Sequence, residues 1–177
     1  MTYKNKQAEK VPYDKDASQT PQYIYNWLDS IYDFDYDLCA SDEHHLVDQY
    51  FTKERSFLDL PPKLFFKPCE TAFCNPPYSG YDDILDWVIK AAQEAKLTTV
   101  MLIPELNGEK RVKTILDNAQ ELIHLSPRIS FIHPDTKKSM TGNNRGSMVA
   151  IFNKWSGQGY ANNTFEDLNY IKQRFEK

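Results

Sequence analysis

The chain has 177 residues, 41% of them hydrophobic and 14% aromatic, and it carries a formal net charge of −4. That length suits one domain with a core of its own, while the acidic balance leaves any contact with nucleic acid to a local basic patch. Its six glycines form no G-x-G-x-x-G or G-K-[ST] pattern, which argues against a glycine-rich phosphate loop.

Three cysteines, Cys39, Cys69 and Cys74, lack a C-x-x-C pair. They fit reduced thiols in a cytoplasm better than a disulfide framework or a zinc site. No apolar run approaches the ~18 residues needed to cross a membrane, and the first residues lack an apolar signal core, so the chain is expected to be soluble.

In chain order, residues 1–18 are polar and aperiodic and predict a mobile arm. "TPQYIYNWLDSIY" predicts a helix: Thr20 is placed to cap it, Pro21 suits its first position, and Ile24, Trp27, Leu28 and Ile31 recur on one face. "FDYDLCAS" reads as a short strand, "DEHHLVDQYF" as a helical turn and "PPKLFFKP" as extended. "TAFC" is a strand, and "YDDILDWVIKAAQEAK" is a helix with Ile84, Trp87, Val88, Ala91 and Ala95 on one face. "LTTVMLIP" has the continuous apolar character of a strand buried on both faces. "GEKRVKTILDNA" predicts a helix and "LIHLS", "RISFI" and "SMVAIF" predict strands, the last two joined as an antiparallel hairpin. "SGQG" (156–159) reads as a linker. "TFEDLNYIKQRFEK" reads as a final helix with Thr164 and Asp167 in capping-box positions. Alternating strands and helices predict a three-layer α/β sandwich.

The segment "AFCNPPYSGYDD" carries the chemistry. Two consecutive prolines end the strand and remove two backbone donors, and strand ends of this kind are where open α/β sheets place ligands. Asn75 offers a side-chain oxygen, Pro76 a carbonyl, Pro77 rigidity and Tyr78 a flat ring. Two convergent acceptors beside a ring suit a planar amino group such as adenine N6. Accepting both of its hydrogens localises the nitrogen lone pair for attack on an electrophilic methyl group, a form of preorganised electrostatics. The bland alternative is a proline turn closing a strand.

Asn-Pro-Pro-Tyr resembles the catalytic motif of amino-methyltransferases that use S-adenosylmethionine. Together with "TPQYIYNWLD", "FDYDLCAS", "YFT", "RISF" and "RGSMVAIF", it is similar to the phage-type DNA N6-adenine methyltransferases, the Dam family, over residues 20–152. The resemblance implies a Rossmann-like methyltransferase fold with a mostly parallel sheet and an antiparallel C-terminal hairpin. It also implies a domain over 19–155, with a linker and packed helix over 156–177. It assigns Asn75, Pro76, Pro77 and Tyr78 to a flipped adenine and Thr20 and Pro21 to the methionine end of the cofactor. Asp37, Ala40 and Ser41 match the cofactor-binding strand end, although no glycine follows Asp37. Asp42, Glu43 and Asp59 all stand as ribose-binding acids, and Asp59 could instead meet the cofactor's adenine amine.

The implied partner is double-stranded DNA in a bacterial or phage-infected cytoplasm. Lys137, Lys138 and Arg145, in the polar loop 133–146, are the candidates for phosphate contacts, with a solvated hairpin tip as the alternative. The chain lacks length for a separate recognition domain of ~100 residues, so base choice falls to loops or to a partner protomer in a homodimer. Two rival functions stay open: an amino-methyltransferase for RNA or protein glutamine, and a cofactor-binding module without catalysis. His44 and His45 beside Cys39 lack a second ligand pair at zinc spacing. Asp33, Asp35 and Asp37 lack the glycine and glutamate of a calcium loop.

Overall fold

A computed structural model describes residues 14–105, 110–140, 145–157 and 161–176. Within them lies a six-stranded sheet in the order β1-β2-β3-β5-β4-β6. The strands are β1 (Tyr36–Asp37), β2 (Thr71–Cys74), β3 (Thr98–Pro104), β4 (Glu121–Ser126), β5 (Ser147–Phe152) and β6 (Asn162–Asp167). β1, β2 and β3 pair in parallel, β5 is antiparallel to both β3 and β4, and β6 is parallel to β4. Every strand but β5 therefore runs the same way. The ends of β1 to β4 and the start of β5 meet at one rim.

Alternation along the strands divides the core. Val100 and Leu102 of β3, with Phe73, Val149 and Ile151, face Ile24, Trp27 and Leu28 of α1 (Gln22–Tyr32) and Leu168 and Ile171 of α5 (Leu168–Phe175). Met101, Ile103, Cys74 and Ala150 face the other way, toward Ile84, Trp87, Val88 and Ala91 of α3 (Tyr81–Glu94) and Ile115 of α4 (Lys110–Asn118). Period-2 strands with helical stripes on both faces require this arrangement. β3 is the buried strand its apolar run predicts, flanked by a neighbour on each side.

Several elements depart from the sequence reading. Thr20 does not cap α1: Pro21 occupies the cap position without a side-chain bond, and Thr20 is buried. Ile31, expected on the apolar stripe, is exposed. "FDYDLCAS" yields only the two residues of β1 as strand, and "DEHHLVDQYF" forms turns and bends instead of a helix. Pro62–Phe65 is a short helix, α2, because Pro62 falls at its first turn, where a missing N–H is harmless.

The expected hairpin of "RISFI" with "SMVAIF" does not form. β3 and β4 flank β5, and β6 takes the other side of β4, so no open side of β5 remains for 128–132. That segment makes isolated bridges from Ile132 to Gln19 and Ser139. The final helix is also shorter than its sequence suggests, since Thr164 lies in β6 and α5 starts after Asp167. Asp167 is the cap, accepting from Asn169 N at 2.8 Å. The "SGQG" reading lies partly outside the described residues, and no helix among those described is long and apolar enough to cross a membrane.

Candidate active site

The rim is assembled from neighbouring strands. β2 delivers Cys74 directly to Asn75, and Leu38, just past β1, donates its N–H to Phe73 O at 2.9 Å. Cys39 Sγ lies 3.5 Å from Cys74 Sγ, so the segment after β1 touches the base of the corner. Burial pushes the Cys74 thiol up, with the Cys39 neighbour adding to the effect.

Asn75, Pro76 and Pro77 are half-buried, and the Tyr78 ring is 59% exposed. The corner is open to solvent at Tyr78 and partly covered at Asn75, Pro76 and Pro77. Asn75 Nδ2 donates a long hydrogen bond to Ser18 O at 3.4 Å. A carbonyl can only accept, so the amide nitrogen is the end that faces Ser18. Oδ1 is left as an acceptor to which, among the described residues, no group donates.

Asp16 grips the other end of the turn. Its Oδ1 accepts from Tyr78 N at 2.7 Å, and its Oδ2 accepts from Ser79 N at 3.2 Å and Ser79 Oγ at 2.5 Å. Burial pushes this carboxyl up, but the Ser79 hydroxyl, the Tyr78 and Ser79 amides and the charge of Lys53 outweigh it and hold the group below its ordinary value. Gly80 follows at φ 74 and starts α3, a backbone conformation that favours glycine.

Asp37 is 3% exposed at the end of β1. Its carboxylate accepts from Cys39 N at 3.2 Å and Leu46 N at 3.1 Å, tying the loop 38–46 to the strand end. Burial pushes it up to about 6, against the pull of those two amides and of His45. Ala40 and Ser41 sit half-buried on that loop, with Ser41 Oγ accepting from His44 N at 3.1 Å.

The acids considered for ribose are placed differently. Asp42 is engaged at the surface with Tyr50 OH at 2.9 Å and Arg55 Nη2 at 2.7 Å. Glu43 is exposed, and Asp59 is the exposed last residue of a 3-10 turn whose Phe57 packs edge-on to Trp87. Thr20 lies two residues beyond Ser18, and both it and Pro21 beside it are buried.

The basic candidates follow β4 on the same rim. Lys138 and Arg145 are exposed, while Lys137, at φ 54, reaches back so that Nζ donates to Gln19 Oε1 at 3.3 Å. Gln19 and Ile132 exchange both backbone bonds, at 3.0 and 2.9 Å. The segment 16–19 thus touches both the corner and the loop that carries Lys137. Sequence reading assigned 16–18 to an arm and missed Asp16, Ser18 and Ser79. The available signal was a run of small polar residues just before Thr-Pro and a hydroxyl just after Tyr78.

Fold and corner together define a mixed α/β protein of Rossmann-like arrangement, with an Asn-Pro-Pro-Tyr turn at the open rim of its sheet. The DNA N-6-adenine-methyltransferase (Dam) family matches residues 7–173, and the chain belongs to that family. It is also 26% identical over 153 residues to the DNA N-6-adenine-methyltransferase of Escherichia phage T1, a match covering 77% of this chain. The chain spans 62% of the length of that curated relative.

Proposed function

We propose that the protein transfers a methyl group from S-adenosylmethionine to the N6 amino group of adenine in double-stranded DNA, within a three-layer Rossmann-like domain whose sheet includes β6. The observation that carries this reading is an Asn75 Oδ1 that accepts from no described group, in the same Asn-Pro-Pro-Tyr turn as an exposed tyrosine. Family membership supports it.

The donor set fits the cofactor. A buried carboxylate pushed up to about 6 gives the rim a negative group that a cationic ligand would stabilise. Ala40 and Ser41 next to it are small enough for close approach. Asp37, Ala40 and Ser41, with Thr20 and Pro21, would hold the cofactor, and Asp59 would meet its adenine amine. When bound, that group supplies an electrophilic methyl on a sulfonium.

The chain's own residues do the rest. Asn75 Oδ1 and Pro76 O accept the two hydrogens of the target amine, which favours a pyramidal nitrogen with a localised lone pair. Pro77 keeps the two acceptors rigid. Tyr78 stacks on the extruded base, an interaction worth about 1–3 kcal/mol, which partly offsets the few kcal/mol of unstacking. Lys137, Lys138 and Arg145 hold the flanking phosphates, and base choice comes from this loop or from a second protomer.

Labelled cofactor incubated with duplex DNA tests the proposal. The wild type yields N6-methyladenine, and Asn75→Ala retains cofactor binding while losing transfer by at least about a hundredfold. Label appearing in RNA or protein and not in DNA refutes the substrate, and full activity in Asn75→Ala refutes the assigned role.

A further inference from the structure

Two prolines in succession make the corner rigid and also hard to hold. Neither has an N–H, so Tyr78 N and Ser79 N are the first backbone donors after Asn75. Asp16 takes both, with the Ser79 hydroxyl as well, at 2.7, 3.2 and 2.5 Å. Two residues later Ser18 O receives the Asn75 amide, and the next residue is locked to Ile132. The corner is therefore held from outside the sheet at both ends by one four-residue stretch.

We infer that Asp16 is a positioning residue for methyl transfer, and that residues 16–19 form a splint setting the distance between the Asn75 acceptor and the Tyr78 ring. This rests on the catalytic reading of the corner. Three donors converge on the carboxylate, and charge-assisted bonds of this kind are about twice as strong as neutral ones. They lie on the exposed side of the turn, away from the two apolar clusters. Their loss therefore changes geometry more than global stability.

The same stretch joins the corner to the loop 133–140, through Gln19 with Ile132 and Lys137. Movement of that loop on a bound duplex is transmitted to the acceptors through Ser18. The remaining buried or apolar features, including the Cys39–Cys74 contact and the exposed Leu64 and Phe65, play no part in this splint.

Asp16→Asn keeps one acceptor oxygen for Tyr78 N but turns an amide donor toward Ser79 N, with only the Ser79 hydroxyl able to accept from it, and Asp16→Ala removes the grip entirely. In both, kcat falls about tenfold to a hundredfold, while the affinity for S-adenosylmethionine stays at the wild-type value and the thermal midpoint falls by no more than about 2–4 °C. Hydrogen exchange at the Tyr78 and Ser79 amides accelerates. Ser79→Ala gives a smaller loss, and adding it to Asp16→Ala gives none.

Unchanged kcat in Asp16→Asn and Asp16→Ala, alongside an active wild type, overturns the inference and leaves the catalytic reading standing. Tighter DNA binding at unchanged kcat, which would mark the carboxylate as a phosphate mimic, overturns it too. Unaltered exchange at the two amides also overturns it, because the grip itself is then absent. A wild type that transfers no methyl group to DNA refutes the catalytic reading and the splint's role with it.

Discussion

Asp37→Asn isolates the energetic consequence of burying a carboxylate at the end of β1. The folded chain holds this proton up to about 6, against a reference value of 3.8, mainly through burial. At about 1.4 kcal/mol for each tenfold change in proton affinity, the difference is worth roughly 3 kcal/mol. The direction follows from which state keeps the proton. Between about pH 4 and pH 6 the unfolded chain has released it and the folded chain has not. Stability from this group is fully present at the acid end of that window, declines as pH rises, and levels off above the folded value.

Asparagine has nothing to ionise. It still accepts from one of the Cys39 and Leu46 amides but presents a donor to the other, a loss of about 1–3 kcal/mol that does not vary with pH. Urea unfolding of both proteins from about pH 4 to pH 8 gives the comparison, because titrating groups that do not interact with Asp37 cancel in the difference. The wild type loses about 3 kcal/mol relative to Asp37→Asn across the window. A constant difference, or a wild type that gains on the variant as pH rises, refutes the assignment of a buried, reluctantly ionised acid.

Replacing Lys137, Lys138 and Arg145 together with alanine weakens duplex binding and reduces the slope of log K against log salt by about 0.9 for each phosphate no longer neutralised; an unchanged slope in a fluorescence titration removes the loop from the DNA interface. Phe73→Ala opens a void between Tyr25 and Phe34, whose rings lie 5.9 and 5.6 Å from it. It lowers unfolding stability by about 3–5 kcal/mol, and a loss below about 1 kcal/mol would mean that this face of the sheet repacks freely.

The parts of the fold that local periodicity specifies were readable in advance. The buried faces of α1 and α3 follow from residues three and four apart, and β3 follows from its continuous apolar run. Asn-Pro-Pro-Tyr was legible because proline chemistry restricts what such a turn can be. Pairing was harder to see, since "RISFI" has a strand's composition and lacks only an open partner. Conversely, the polar "NNTFED" has the look of a helix start and becomes β6 because a parallel partner, β4, lies beside it. Asp16 was hidden for a related reason: its value depends on donors 62 and 63 positions away.

One reversed strand has an evolutionary corollary. Because β5 runs against its neighbours, the connection from β4 must turn round at the same rim as the Asn-Pro-Pro-Tyr corner. Residues 127–146 consequently leave and re-enter the sheet on the side of that corner, with a central strand at each end. The exposed part of this segment, 135–139, can exchange polar side chains while the layers beneath, which hold the buried Ile129, stay unaltered. The surface beside the corner thus varies independently of the scaffold.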